Sequence, residues 1–385
     1  MIIASEATGA ERFGSGRVAA VMSVENCGGT SMLRSVKVVL CVLCLVASAA
    51  SASTIVVHQD GTGDYLTITD AVAAAVPGDI IQVGIGTYSE YVTITKSLSL
   101  ESEAGAAVTI LDGMDAQRIF VIDGSVSVSI RGFTFMRALA DEAAALFVWH
   151  EADTVVDDCI FTDNYATGSN AVAVRHAGSN LHLRNCQFLL NQAGLHSAAL
   201  SSSMGSNLIV EDCQFIENHA LGHGAMNTIG GNVQMTGCLF LRNSGSVGAV
   251  TLDSSSGFVS GNTFHDNSGP TGTVNLGVGM QFSHNIISGE QQGPGLNASL
   301  GSQHTCNLYF DNADGACDVP LGYGEVEGDP LYCEASADVF LVCSGSPALA
   351  AENGCGAMGA FGMGCECGPV AIETTTWGEL KSSFR

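Results

Sequence analysis

The residues best equipped for chemistry lie mid-chain, in Glu217-x-His219-x-x-x-His223, with His196 and Arg175 upstream. A carboxylate and two imidazoles are donors a transition metal accepts, and they can trade protons near neutral pH. On a helix, imidazoles four residues apart share a face; here they flank a bend, so spacing alone does not unite them. The plainer reading is polar bend residues. A second group, Asp60-Gly61-Thr62-Gly63-Asp64, alternates carboxylates with glycine as calcium loops do. It lacks the later bidentate carboxylate that completes such a loop, so a glycine turn competes. Asp60 and Asp64 are thus the candidate calcium ligands, and no other cofactor is expected. Arginines could act as bases or counter-ions towards an acidic sugar. Arg118, Arg131, Arg137, Arg175, Arg184 and Arg242 fall at different repeat positions, which reads as solvated arginines rather than a cluster.

What must position these groups is a repeat. Asp158-Cys159-Ile160-Phe161-Thr162-Asp163-Asn164 returns as Asn185–Asn191, Asp212–Asn218, Gly237–Asn243 and Gly261–Asn267. From Phe135 to Ile287 the key position advances by 26, 27, 27, 25, 24 and 23 residues. A period that drifts, with the slack in Gly/Ser stretches, marks a solenoid with variable loops. Apolar residues five and seven places before the key position alternate with polar ones, the period of a strand with one buried face. A second short strand follows in each turn (Ala171–Val174, Ala198–Leu200, Gly248–Leu252, Gly272–Leu276), and no turn has room for a long helix. The fold class is therefore all-β, a parallel β-helix of about ten coils whose equivalent residues stack about 4.8 Å apart. Phe161, Phe188, Phe215, Phe240 and Phe264 should pile up inside. Cys159, Cys186, Cys213 and Cys238 should form a second inward column, and Asn164, Asn191, Asn218, Asn243 and Asn267 an amide ladder at a bend. Two places past the Phe, Arg137, Asp163, Leu190, Glu217, Arg242 and Asp266 should form a solvated column with weak charge pairs.

The ends differ from the middle. Residues 1–52 read as an upstream extension plus a secretory signal at 32–52, residues 53–368 as the β-helix domain and 369–385 as a tail. The chain has 13 Lys/Arg against 38 Asp/Glu, and nine of the former and 35 of the latter lie beyond residue 52. Such acidity argues against nucleic acid and anionic lipid, and disfavours polyuronates unless cations bridge. The mature chain holds no apolar run long enough to span a membrane. Thr67–Val76 reads as a short helix capping the first coil. Seven cysteines crowd the C-terminal part, which in an exported chain reads as a disulfide-tied cap. The economical pairs are Cys306–Cys317, Cys333–Cys343 and Cys355–Cys365, leaving Cys367 odd; a zinc site is the alternative.

The segment Ile55-Val56-Val57-x-x-Asp60-Gly61-x-Gly63-Asp64-Tyr65-x-Thr67-Ile68, then Ala71-Val72 and Gly86-x-Tyr88-x-Glu90, resembles the start of a pectin methylesterase and of secreted bacterial β-helix repeat proteins. Gly328-Asp329-Pro330-Leu331-Tyr332, Ser346-Pro347-Ala348 and Gly359-Ala360-Phe361 resemble the closing coil of the latter. The resemblance is to the right-handed parallel β-helix, pectin lyase-like superfamily, and implies its single-stranded right-handed solenoid. Asn170–Arg175 resembles the esterases' Gln-Ala-Val-Ala-Leu-Arg element, which places their acid/base Asp at Ala193. The elements supplying their second Asp and catalytic Arg have no match, and such an esterase needs two carboxylates. The expectation is an exported, non-catalytic protein that binds a polysaccharide or a cell-surface partner along a flat face, outside the cell or on its surface. The alternatives are a carbohydrate-active enzyme (polysaccharide lyase or hydrolase) and a structural adhesin stalk. Arg175, Glu217, His219 and His223 are the candidate catalytic residues, and the oligomeric state is open.

Overall fold

The computed structural model describes residues 52–170 and 173–366. The expected signal, up to residue 51, the tail and Cys367 lie outside them. The described chain is a parallel β-solenoid of the expected right-handed kind. One wall is an eleven-stranded parallel sheet running from Gly86–Tyr88 to Val326–Glu327, one rung more than the ten coils expected. An eighteen-stranded sheet supplies two further strands in most coils, and a four-stranded sheet (Leu139–Glu142, Tyr165–Asn170, Gln192–Ala193, His219–Ala220) lines one turn.

The interior is the phenylalanine column. Phe135, Phe161, Phe188, Phe215, Phe240 and Phe264 pair in register along the eleven-stranded wall, all fully buried. Successive rings are 4.7, 4.8, 4.8, 4.6 and 4.8 Å apart and within 12° of parallel. Strand pitch dictates that spacing, and it matches the separation at which offset rings attract. Cys159, Cys186, Cys213 and Cys238 are buried beside it.

The corners explain the polar columns. Asp163, Leu190, Glu217, Arg242 and Asp266 have φ of 53°, 55°, 54°, 51° and 56°. A left-handed residue here turns the chain sharply, so the following Asn is driven inward and buried. Each Asn Oδ1 then accepts from the backbone N–H and the Nδ2 of the preceding coil's Asn, with Nδ2···Oδ1 distances of 2.9, 2.9, 2.9 and 3.0 Å from Asn164 to Asn267. A second ladder takes over where the cysteine column ends: Cys238 N–H donates to Asn262, and Asn262, Asn285 and Asn307 link at 3.0 and 3.1 Å. The corner residues themselves point outward, where Arg242 meets Glu217 at 3.2 Å and Arg137 pairs with Asp112.

Helix Ile68–Ala74 caps the first coil. Thr67 accepts from Asp70 N–H at 3.1 Å, and Glu90 accepts from Ile68 and Thr69 N–H at 2.9 and 2.8 Å. At the other end the Lys96 ammonium donates to the Val72, Ala73 and Ala75 carbonyls. Carboxylate at the N-terminus and cation at the C-terminus suit the helix dipole.

The closing segment is disulfide-tied, but not by the local pairs. Cys306 bonds to Cys355 and Cys333 to Cys365. Cys317 lies beside Leu296 on another wall, because eleven residues carry the chain round part of a coil rather than back to the same place. The sheet of Tyr332–Glu334, Val339–Cys343 and Met363–Cys365 folds back along the phenylalanine wall. Phe340 packs there with Ile216, Leu239 and Leu241, Arg242 clasps Asp338 at 2.7 and 2.9 Å, and Ala360 N–H donates to Thr263 Oγ1.

Candidate functional site

The candidate groups divide between two walls. Glu217 sits at a corner against Arg242, facing the folded-back segment. His219 is exposed beyond buried Asn218, its Nδ1 2.8 Å from Ser244 Oγ. The bend thus sends neighbours in the sequence in different directions, and Glu217, His219 and His223 do not converge. Asp60 accepts from the Thr62 N–H and hydroxyl at 2.9 and 2.6 Å, bonds that hold its carboxyl below the ordinary range. Asp64 accepts from Val56 N–H at 2.9 Å. Asp60 is engaged within its own loop and Asp64 with the strand Thr54–Val57. Among the described residues no three of His, Cys, Asp and Glu cluster as a metal site would require.

Arg175 and His223 do share a face. In the larger sheet, strands Leu146–Trp149, Val174–Ala177, Leu200–Ser203 and Met226–Thr236 pair in strict register, and alternate residues face in and out. Leu146, Val174, Leu200 and Met226 point into the core. The opposite parity places Phe147, Arg175, Ser201, Asn227 and Thr251 in one outward column, continued by Asn275 and Asn297. Beside it run Trp149, Ala177, Ser203, Ile229 and Asp253. From Arg175 onward, six successive coils present a hydrogen-bonding side chain at the same position.

The column begins at an aromatic pair. Phe147 and Trp149, both half-buried, have ring centroids 5.0 Å apart. The Arg118 and Arg175 guanidinium carbons lie 5.3 and 5.6 Å from the Phe147 centroid, a cation–π arrangement. Arg118 also donates to the Ala143 and Glu142 carbonyls, and Arg175 is ion-paired with the Glu142 carboxylate. The expectation that the arginines stand apart fails here: Arg118 lies in a loop just before the strand that carries Phe120, outside the phase of the repeat. Nor do the other four stand in different columns: Arg131 and Arg184 share a strand-end column and both reach Asp157, at 3.9 and 3.4 Å, and Arg137 and Arg242 hold the same left-handed corner position.

The column is recessed rather than flat. His223 reaches over it, Nδ1 2.7 Å from Thr251 Oγ1, with the His196 ring 6.5 Å away. Burial, reinforced by His196, pushes His223 down to about 4, so it is neutral near pH 7. Arg175, Ser201, Asn227 and Thr251 are each more than nine-tenths buried, and Asn275 and Asn297 are half-buried. Asn297 Nδ2 donates to the Thr271 carbonyl at 2.8 Å. The arrangement can hold hydroxyl-rich matter by many hydrogen bonds. Ala193, where the esterase resemblance implies the acid/base Asp, is a buried methyl paired with Ala166 and Ala220. The column's outward position needed the register; its composition was readable in the repeat.

Among solved structures the chain is similar to pectate lyase Pel9A, with a TM-score of 0.58 and 11% identity over 82% of this chain and 97% of that one. Pectin methylesterase from Aspergillus niger matches at TM-score 0.40 and 15% identity, over 70% of this chain and 87% of that one. No curated protein matches the sequence. The first likeness is one of fold. The family model described as right handed beta helix region matches residues 84–245 and 193–326, which is more than half of the sequence, and the chain belongs to that family.

Proposed function

We propose that this is an exported protein that binds a glycan along the recessed polar column of its large sheet, without turning it over. One observation carries the reading: Arg175, Ser201, Asn227, Thr251, Asn275 and Asn297 hold one outward position on consecutive coils, starting from the Phe147–Trp149 pair. A sugar chain offers hydroxyls at regular intervals and apolar ring faces, which suits aligned polar groups beside aromatic rings. Two disulfides in the closing segment support export, since such bonds persist in oxidising compartments. Against turnover stand the methyl of Ala193, the ion pair that occupies Glu142 and the far placement of Glu217.

The test is a binding and activity screen of the purified chain against a polysaccharide panel. Saturable binding with no release of reducing ends or unsaturated products is expected. Product release would make it a lyase or hydrolase. Neither binding nor release would leave a structural stalk.

A further inference from the structure

The eleven-stranded wall ends on a carboxylate. In register, Phe264, Ile287, Tyr309 and Glu327 follow one another in the inward column. Tyr309 is buried, but Glu327 stands on the last rung with no coil beyond it and is exposed. The turn Asp311–Ala316 has no full coil after it either, because the segment after Gly328 folds back along the wall. A cavity of about 210 Å³ lies at this end, lined by Tyr309, Phe310, Asp311, Asn312, Ala316 and Glu327 among others. It is reachable from solvent: Asp311 and Glu327 are exposed, and Phe310 is 38% exposed.

The lining selects its ligand by charge and by donors. Residues 243–366 hold thirteen Asp and Glu and neither Lys nor Arg, so Asp311 and Glu327 have no local counter-ion and the cavity favours a cation. Asn312 adds the donors. Inside the ladder, the Asn164 N–H and Nδ2 both donate to the next coil's Oδ1, at 3.2 and 2.9 Å. Asn312 bonds backwards like the others, its Nδ2 donating to the Ile287 carbonyl at 3.2 Å, but no further Asn follows it. Its N–H and second Nδ2 hydrogen are left to whatever fills the cavity it lines. A bare metal ion would use the carboxylates and leave those donors, and the space is worth roughly seven waters at about 30 Å³ each. A lysine side chain brings the charge without an acceptor beside it. An amino sugar brings an ammonium, a neighbouring hydroxyl oxygen that accepts, and an apolar ring face for Phe310. One sugar unit also suits a space below the roughly 300 Å³ at which pockets for drug-sized ligands begin.

We infer that the end-coil cavity binds a hexosamine unit with a free amine, its ammonium taken by Asp311 and Glu327 and its neighbouring hydroxyl by Asn312. The site is separate from the recessed column, and either can fail without the other.

Calorimetric titration of the full chain with a glucosamine hexasaccharide, its fully N-acetylated form, tetralysine and calcium chloride tests it. The free-amine hexasaccharide should bind at least tenfold more tightly than the acetylated one, a comparison that needs no variant. Asp311→Asn and Glu327→Gln should each weaken it about fivefold or more. Both should fold, as thermal melts will show: Asn tolerates the left-handed φ of 52° at position 311, and Glu327 is exposed. Asp163→Asn, at the same corner of an inner coil, should change nothing. An equal loss in Asp163→Asn would mean general attraction to an acidic chain and overturn the site. Unchanged affinity in Asp311→Asn and Glu327→Gln would overturn it too, as would equal binding of the acetylated form. Tighter binding of tetralysine or of calcium would give the cavity to a protein partner or a metal instead. No binding of the free-amine hexasaccharide removes the site and leaves the recessed column as it stands.

Discussion

Glu290 should make this protein lose stability as pH rises, and Glu290→Gln should abolish that loss. The residue stands where the ladder of Asn164 to Asn267 would take its next Asn. Asn267 Nδ2 donates to Glu290 Oε1 at 3.4 Å, Thr273 Oγ1 is hydrogen-bonded to Oε2, and Glu290 N–H donates to Asn312 Oδ1 at 3.3 Å. A protonated carboxyl mimics an amide here, one oxygen accepting and the other carrying hydrogen. The side chain is 2% exposed, and burial, with Asp266 adding, pushes its pKa up to about 8 against the donors Thr273 and Asn267. The folded value lies above the ordinary 4.5. Below 4.5 both states hold the proton and stability is complete. Between 4.5 and 8 only the unfolded chain ionises, so stability falls with rising pH; above 8 the folded state ionises too and the loss levels off. At 1.36 kcal/mol per unit, the window is worth about 5 kcal/mol. Denaturant titrations of wild type and Glu290→Gln from pH 4 to 9 measure it. The variant's advantage should grow through that window and reach several kcal/mol at pH 8. Subtraction removes the trend that the other carboxylates share. Parallel stability curves for the two proteins would refute the reasoning.

Two further substitutions probe the scaffold. Phe215 is fully buried with Phe188 and Phe240 at 4.8 and 4.6 Å on either side, so Phe215→Ala should cost about 3–5 kcal/mol in denaturant titration; a loss under about 1 kcal/mol would mean that the column carries no packing energy. The Cys306–Cys355 bond closes 49 residues, for which loop entropy gives about 4 kcal/mol. The Cys306→Ala, Cys355→Ala pair should therefore admit protease to the segment between them well before the coils melt, and a cleavage rate equal to wild type would contradict that.

Much of this architecture is legible because a solenoid converts sequence period into space. Phe161, Phe188 and Phe215 had to stack once the period and the strand alternation were read. The same logic could have found the second ladder, since Asn262, Asn285 and Asn307 advance by 23 and 22 residues. Period is silent on what departs from it. Nothing in the repeat says that Arg118, from a loop, will share Phe147 with Arg175, or that the segment after Gly328 will lie along a wall that already looks complete. Facing direction was also hidden: Arg175 and Glu217 look equally polar in sequence, yet one belongs to the recessed column and the other to a corner.

The disulfides and the ladder ends follow from one geometric fact. Inside the stack, a residue's neighbour is its counterpart one coil later, so nothing local need bind it. At the last coils that counterpart is missing, and partners must come from chain that folds back: Cys355 for Cys306, Cys365 for Cys333. The ladders meet the same problem with donors. Every internal Asn passes two N–H groups to the Oδ1 ahead of it, so the end of a row needs an acceptor and no further donor. Both rows reach a glutamate: Asn267 donates to Glu290, which passes its own N–H on to Asn312, and Asn307 donates to Glu325 at 2.7 Å. Glu325 also gathers Tyr309 OH, Gly322 N–H and His304 Nδ1 at 3.0, 2.7 and 2.9 Å. A carboxyl group can collect that many donors where an amide would turn its own N–H groups against them. Glu325 ends its row, whereas Glu290 interrupts one that Asn312 resumes, its Oδ1 accepting from Glu290 N–H at 3.3 Å and its Nδ2 donating to the Ile287 carbonyl at 3.2 Å, so a Glu in the Asn phase marks the last coils rather than a single stop.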